Sequence, residues 1–167
     1  MIFLTVGTSF PFDRLVKAVD TAITDGFVEG NVFAQIGAGG YRPKHMEYVE
    51  RLGNRAFDTY FQGASAVISH AGVGSIAMAL EFEKPLLVMP RQKIYREVVN
   101  DHQLAIAKKY ELLKYVLVAY EVEQLPEKLE QLRTFVPCRR KPEPRAVAER
   151  IARFLIELDG ARKQGGQ

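Results

Sequence analysis

The sequence is short of the features that announce several functional classes. Cysteine occurs once in 167 residues, as Cys138, which excludes an internal disulfide and fits a reducing compartment. The three histidines, His45, His70 and His102, lack metal-ligand spacing, and a lone thiol adds nothing to them, so no metal site is expected. No apolar run approaches the length of a bilayer crossing, and the N-terminal residues read as a strand without a basic lead-in. Neither a transmembrane helix nor a signal peptide is expected on those grounds. Net charge is small: 23 basic and 20 acidic residues leave +3. That balance is too mild for a nucleic-acid binder and permits only weak attraction to an anionic ligand or membrane surface. No Gly-Lys-Ser/Thr follows a glycine loop, so the P-loop is missing. Gly-Thr-Ser-Phe-Pro after the first strand does not match the dinucleotide fingerprint either. Ser75 lies outside a Gly-x-Ser-x-Gly elbow and no carboxylate completes a triad with His70, which argues against nucleophilic catalysis.

What is present is an ordinary globular composition, 47% hydrophobic and 26% charged, in a length that suits one domain with a real core. Residues 2–6 have a buried-strand pattern. Ser9 reads as a helix cap and Pro11 as a first-turn residue. The helix they open carries Phe12, Leu15, Val16, Val19 and Ile23 and stops at Asp25-Gly26. A second strand, 31–36, ends in the glycine loop 37–40. Residues 43–52 fit a short helix or an edge strand, with the strand preferred. Asn54 reads as the cap of a helix carrying Phe57, Tyr60 and Phe61. Strand 66–69 runs into His70-Ala71-Gly72-Val73-Gly74-Ser75 and then a helical pattern of Ile76, Ala79 and Leu80. Strand 86–89 sits between Pro85 and Pro90, and 91–99 is a polar, basic loop. A helix over 100–110, a strand over 115–118 and a helix from Val122 to Phe135, with Pro126 in its first turn, complete the pattern. Residues 137–144 form a break, 145–158 a final amphipathic helix and 160–167 a disordered tail. Strands alternating with helices predict an α/β fold, a parallel sheet with helices on both faces, in one domain over 1–159.

Glycine loops then follow three strands, at Gly7-Thr8, at Gly37 to Gly40 and at Gly72 to Gly74. A parallel sheet places all three on one edge, which favours a phosphate-bearing ligand more than any loop alone. His70, at a strand's carboxyl end, has two open readings: a ring satisfied by local backbone, or a donor to a diphosphate oxygen. Ser75 reads as a helix cap, a phosphate contact, or both. Asp101-His102-Gln103 opens a helix, either as cap and solvated residues or as a set suited to a hydroxyl-rich ligand. Arg91, Lys93 and Arg96 form a solvated loop or face phosphate or an acidic sugar.

These residues resemble the C-terminal, donor-binding half of a GT-B glycosyltransferase of the family 28 type. The stretches that carry the resemblance are IFLTVGTSFPFDRLV, QIGAGG, VISHAGVGS and KPLLVMPRQKIYREVVNDHQLAIAKK, in collinear order over roughly residues 1–120. Similarity is greatest to stand-alone small subunits of two-part enzymes. These are the bacterial exopolysaccharide glycosyltransferase subunits and the eukaryotic subunit that adds the second N-acetylglucosamine to a dolichol diphosphate-linked sugar. The resemblance implies a Rossmann-like parallel sheet, of about six strands by the pattern above. It places Gly7 and Thr8 at the cleft edge, with Gly37 and Gly39 in the second loop. Tyr48 and Val49 fall where the family holds uracil, largely by backbone. His70, Gly72, Gly74 and Ser75 would face the diphosphate, Arg91 would lie near the sugar end, and His102 and Gln103 would contact the transferred sugar.

The implied activity is transfer from a UDP-sugar, itself a substrate rather than a cofactor, to a lipid-diphosphate-linked saccharide by an inverting hexosyltransferase. His70 would stabilise the diphosphate, and the general base would come from a membrane-anchored, acceptor-binding partner subunit. Without that partner the chain is expected to be inactive, and with it to sit in the cytoplasm at the inner face of a membrane. One position departs from the family pattern. Eight residues after the central histidine, where a ribose-binding glutamate is usual, this chain has Met78, which accepts no hydrogen bond of strength. The alternative reading is therefore a non-catalytic nucleotide-sugar-binding or regulatory module.

Overall fold

A computed structural model describes residues 1–8, 10–139, 149–154 and 156. Six strands form one sheet: β1 (Ile2–Thr5), β2 (Val32–Gln35), β3 (Glu47–Val49), β4 (Ala66–His70), β5 (Leu86–Met89) and β6 (Leu117–Val118). Their spatial order is β3-β2-β1-β4-β5-β6 and every pairing is parallel. The helices are α1 (Asp13–Thr24), α2 (Asn54–Gly63), α3 (Val73–Glu81), α4 (His102–Leu112) and α5 (Leu125–Leu132). Such an order leads outward in both directions from the β1–β4 pair. The connections after β1 and β4 therefore leave on opposite sides and open a crevice at the carboxyl ends of those two strands.

Alternation along the strands sorts the core into two layers. Leu4, Ala34, Ile68, Leu87 and Met89 face α1 and α5 and pack on Leu15, Val16, Val19, Leu125, Leu129 and Leu132. Phe3, Val67, Leu86 and Val88 face α2, α3 and α4 and pack on Phe61, Ile76, Ala79 and Ala107. Aromatic rings reinforce the second layer: Phe33 stacks on Tyr60 at 4.1 Å between centroids, and Phe57 meets Phe3 edge-on at 5.5 Å.

The preferred strand reading within 43–52 is what forms, as edge strand β3. Its approach is held by Asp20, a buried carboxylate on α1. Asp20 accepts hydrogen bonds from the Tyr41 hydroxyl (2.8 Å), the Lys44 amide (3.1 Å) and the His45 amide (2.8 Å). Several helix starts differ from the sequence reading. The first helix begins at Asp13, so Pro11 precedes it rather than occupying its first turn, because the carbonyls of Phe10 and Pro11 are held by a side chain elsewhere. Ser9, read as its cap, lies outside the described residues. Gly53, not Asn54, stands at the cap position of α2. Pro126 lies in the first turn of α5 as expected, but α5 ends at Leu132, short of Phe135. Of the final helix expected over 145–158, residues 149–154 and 156 are helical; the remainder and the tail lie outside the described residues. Among the described residues no helix is long and apolar enough to cross a membrane.

Burial acts to raise the Asp20 pKa, but the amides of Lys44 and His45 and the Tyr41 hydroxyl outweigh it and hold the carboxyl below its usual value. The stabilisation is therefore complete above the ordinary aspartate pKa and is lost as pH falls through the lower folded value. Asp20→Ala is expected to destabilise the fold by about 3 kcal/mol at neutral pH, since it orphans several donors. The deficit should shrink in strongly acidic buffer. Urea unfolding of both proteins across pH 2–7 checks this.

Candidate functional site

Near their carboxyl ends β1, β2 and β4 carry polar residues in otherwise apolar strands: Thr5 and Gln35 end theirs, and Ser69 is next to last in β4. Thr5 is in register with Gln35 on one side and Ser69 on the other, and all three are buried. They form a polar row beneath the loops at the crevice. Gln35 Nε2 donates to the Gly7 carbonyl (3.1 Å), the Gly7 amide donates to Thr5 Oγ1 (3.3 Å), and Ser69 Oγ donates to the Thr5 carbonyl (2.9 Å). The sequence reading missed these residues as site builders. The available signal was a polar side chain near the end of each of three apolar strands.

His70 follows this row by one residue, at the end of β4. Its Nδ1 is 3.2 Å from Ser69 Oγ, and Ser69 Oγ is 3.2 Å from Ser75 Oγ. The Nε2–Cε1 edge of the imidazole sits between the α-carbons of Gly7 and Gly72. A Cβ on Gly72 would fall 2.3 Å from Nε2, and one on Gly7 2.9 Å from Cε1. Gly7 also has φ +80°, a left-handed conformation that a side chain disfavours. Burial, helped by the positive charge of Arg91, holds the His70 pKa down at about 4, with the Thr5 carbonyl acting in the opposite sense. The ring is neutral at physiological pH.

Beyond His70 the chain enters α3 through Gly72, which has no side chain to cap the helix. The Gly72 amide is turned back to the His70 carbonyl (2.8 Å), and intrahelical bonding starts with Ile76 donating to the Gly72 carbonyl (3.1 Å). The amides of Val73, Gly74 and Ser75 precede that bond and carry the positive end of the helix dipole to the crevice. Nothing lies within 4 Å of a Cβ built on Gly74, so the space over that glycine is open to a ligand.

The other residues expected at the site divide. Thr8 is exposed on the crevice loop. The Gly37 amide donates to the Glu50 carbonyl (3.0 Å), and a Cβ there would meet Pro11 Cα at 3.2 Å. Gly37 thus serves loop-to-loop packing, whereas Gly39 has open space. Tyr48 and Val49 lie on edge strand β3. Its carbonyl at Val49 pairs inward with the Ile36 amide (3.0 Å), which leaves the Tyr48 backbone on the open edge. Three strand spacings, about 14 Å, separate them from His70. His102 is exposed at the start of α4, its Nδ1 against Asn100 Oδ1.

Arg91 and Gln103 correct the expectation of ligand-facing groups. Arg91 is only 5% exposed. Its guanidinium donates to the carbonyls of Val6 (2.9 Å), Phe10 (2.8 Å) and Pro11 (2.8 Å) and lies over the Phe12 ring at 4.7 Å. Its amide donates to Gln103 Oε1 (3.0 Å), and Gln103 is buried too. Arg91 therefore holds the β1–α1 loop. The neighbouring basic stretch is likewise fastened: Arg14 pairs with Glu97 (2.8 Å), donates to the Pro90 carbonyl (2.8 Å) and stacks on Tyr95 at 4.4 Å. Lys93 and Arg96 remain exposed. Among the described residues no group of histidine, cysteine and carboxylate side chains is placed to hold a metal.

A parallel sheet of this order, with glycine loops and a half-buried histidine at its switch point, is a Rossmann-like α/β domain. The chain matches the glycosyltransferase family 28 C-terminal domain over residues 1–155 and belongs to that family. It is similar to proteins called UDP-N-acetylglucosamine transferase subunit ALG13. The mouse protein is 34% identical over 119 residues, 64% of this chain and 9% of that protein. The Cryptococcus neoformans protein is 36% identical over 110 residues, 62% of this chain and 52% of that protein. The chain thus spans between about a tenth and half of these two relatives. A solution NMR structure of ALG13 has the same fold, with TM-score 0.53 and 22% identity, covering 81% of this chain and 87% of that one.

Gly72→Ala should destabilise the protein by about 1–3 kcal/mol, because the imidazole must be displaced. Gly74→Ala, at an open position in a helix, should raise stability by up to about 1 kcal/mol. Paired urea denaturation curves separate the two. Between pH 6.5 and about 4 the unfolded chain binds a proton at His70 that the folded chain excludes. Stability is expected to fall as pH is lowered through that window, with a shallower slope in His70→Asn.

Proposed function

We propose that this chain is the donor-binding catalytic subunit of an inverting, UDP-sugar-dependent glycosyltransferase. The observation that carries this reading is the crevice at the β1–β4 switch point, with His70 gripped by Gly7 and Gly72 beside the uncapped start of α3. Family membership gives the crevice its chemistry. The relatives' name supports UDP-N-acetylglucosamine as the donor and a second subunit as the partner. In this reading the partner is membrane-anchored, binds a lipid-diphosphate-linked saccharide and supplies the general base. The chain itself works at the cytoplasmic face.

The diphosphate sits against the amides of Val73, Gly74 and Ser75. As the glycosidic bond breaks, the bonding electrons pass to the departing UDP, and the acceptor hydroxyl oxygen bonds to the anomeric carbon from the opposite face. Amides aimed at the leaving group stabilise that charge without reorganising. Open space over Gly74 admits the phosphate closely. The Tyr48 backbone on the β3 edge is available to the base. Arg91 contributes by fixing the loop that carries Gly7, and no metal or cofactor enters.

A second reading, a binding or regulatory module without catalysis, rests on Met78. That side chain is half-buried against the α2–α3–α4 core layer, where an ionised carboxylate would be costly.

Calorimetric titration of the purified chain with UDP and UDP-N-acetylglucosamine tests the donor site. Saturable binding at sub-millimolar concentration is expected, weakened about tenfold (~1.4 kcal/mol) by His70→Ala. Absence of binding by either nucleotide overturns the reading. Glycosyl transfer should be negligible with the chain alone and appear when the membrane-anchored subunit is added. Binding without transfer in the reconstituted pair favours the second reading.

A further inference from the structure

The loop between β5 and α4, residues 90–101, has little regular structure beyond a short 3₁₀ turn, Lys93–Tyr95. It leaves β5 on the crevice edge of the sheet, one strand over from His70, which is in register with Met89. At its far end it delivers His102, exposed at the start of α4. The path between is not one the backbone prefers. Arg96 has φ +58°, in the left-handed region, and is not a glycine. A residue held there persists when its surroundings over-determine the turn.

Glu97 supplies that determination. One carboxylate oxygen accepts from Arg14 Nε (2.8 Å). The other accepts from Arg14 Nη2 (3.0 Å) and from the Gln92 amide (2.9 Å). Gln92 and Glu97 bracket the turn, so the carboxylate closes it. The Lys93 amide then donates to Asp101 Oδ1 (2.7 Å), which ties the turn to the residue before His102. This pair is not a solvated surface bridge. The side chains of Arg14 and Glu97 are only 13% and 12% exposed, and the Tyr95 ring covers the guanidinium at 4.4 Å. A guanidinium fork on a carboxylate fixes orientation as well as distance. The anchor itself is steadied from the same loop, because Arg91 donates to the Phe10 and Pro11 carbonyls just before α1. The β1–α1 and β5–α4 segments thus each hold the other through an arginine.

We propose that Glu97, clasped by Arg14, is a positioning residue: it sets the β5–α4 loop so that His102 meets the sugar of a bound nucleotide sugar. The pair thereby governs the preference for the nucleotide sugar over the bare nucleotide, and neither residue needs to touch the ligand. This rests on the nucleotide-sugar reading for its ligand. The amides at the start of α3 and the edge of β3, which take the diphosphate and the base in that reading, belong to other elements and do not depend on the clasp.

Amide hydrogen exchange in the ligand-free chain reads the clasp directly. Glu97→Gln, which sets an amide where a carboxylate accepted three donors, should speed exchange at the Gln92 and Lys93 amides while β1 and β4 stay protected. Arg14→Lys, which keeps the charge but loses the fork, should do the same. Unchanged exchange in both variants overturns the clasp. Calorimetry then tests the preference. Each variant should weaken UDP-N-acetylglucosamine about three- to tenfold and UDP by less than about twofold, at the scale of one hydrogen bond. The double variant should be no weaker than the worse single one, as expected of two residues acting as a unit. Equal weakening of both nucleotides marks a merely structural role and overturns the positioning. If the wild type binds neither nucleotide, the donor-site reading and the preference fail together, while exchange still decides whether the clasp holds the loop.

Discussion

The crevice depends on one close approach: the imidazole of His70 held between two α-carbons. A ring fits there because Gly7 and Gly72 lack side chains and because β1 and β4 are hydrogen-bonded neighbours. The strand pairing sets the spacing and the glycines remove the obstruction. Water is largely displaced from the ring, so it is neutral, and the backbone just beyond it enters a helix with no side-chain cap. Fold, electrostatics and ligand access at this edge follow from that packing.

The surrounding loops are fixed by charge placed where it cannot reach a ligand. Arg91 spends its guanidinium on three carbonyls of the β1–α1 segment, and Arg14 braces the segment after β5 through Glu97, Tyr95 and the Pro90 carbonyl. Loops carry many backbone groups that a sheet would otherwise satisfy, and a guanidinium has enough donors to satisfy several at once. On the opposite flank Asp20 does the converse, gathering amides of the segment that leads into β3. Two arginines and one aspartate thus bring three loops into register with a rigid sheet.

Much of this was legible in the chain. Apolar runs of strand length alternating with amphipathic runs identified a parallel sheet. The glycine loops marked the edge that carries the crevice, because each had to leave a strand at the same end. Element boundaries were less legible: the cap of α1 falls at Phe12, three residues beyond the position read from sequence, and that of α2 at Gly53, one residue before Asn54, and neither makes a side-chain cap hydrogen bond. Arg91 misled for a physical reason. An arginine in a polar loop looks the same in sequence whether it meets solvent, a phosphate or carbonyls brought in from eighty residues away.

The sequence by itself determined the kinds of element, their order, the two-layer core and the placing of His70 at a strand's end beside glycines. Those are consequences of local periodicity and of which residues can turn. Only the tertiary structure decided which polar groups meet. Thr5, Gln35 and Ser69 stand far apart in the chain and become one buried row through parallel register. His70 and Ser75 come within hydrogen-bond distance of the same Ser69 hydroxyl, because burial forces every polar atom there to find its partner among the few that the fold has placed within reach.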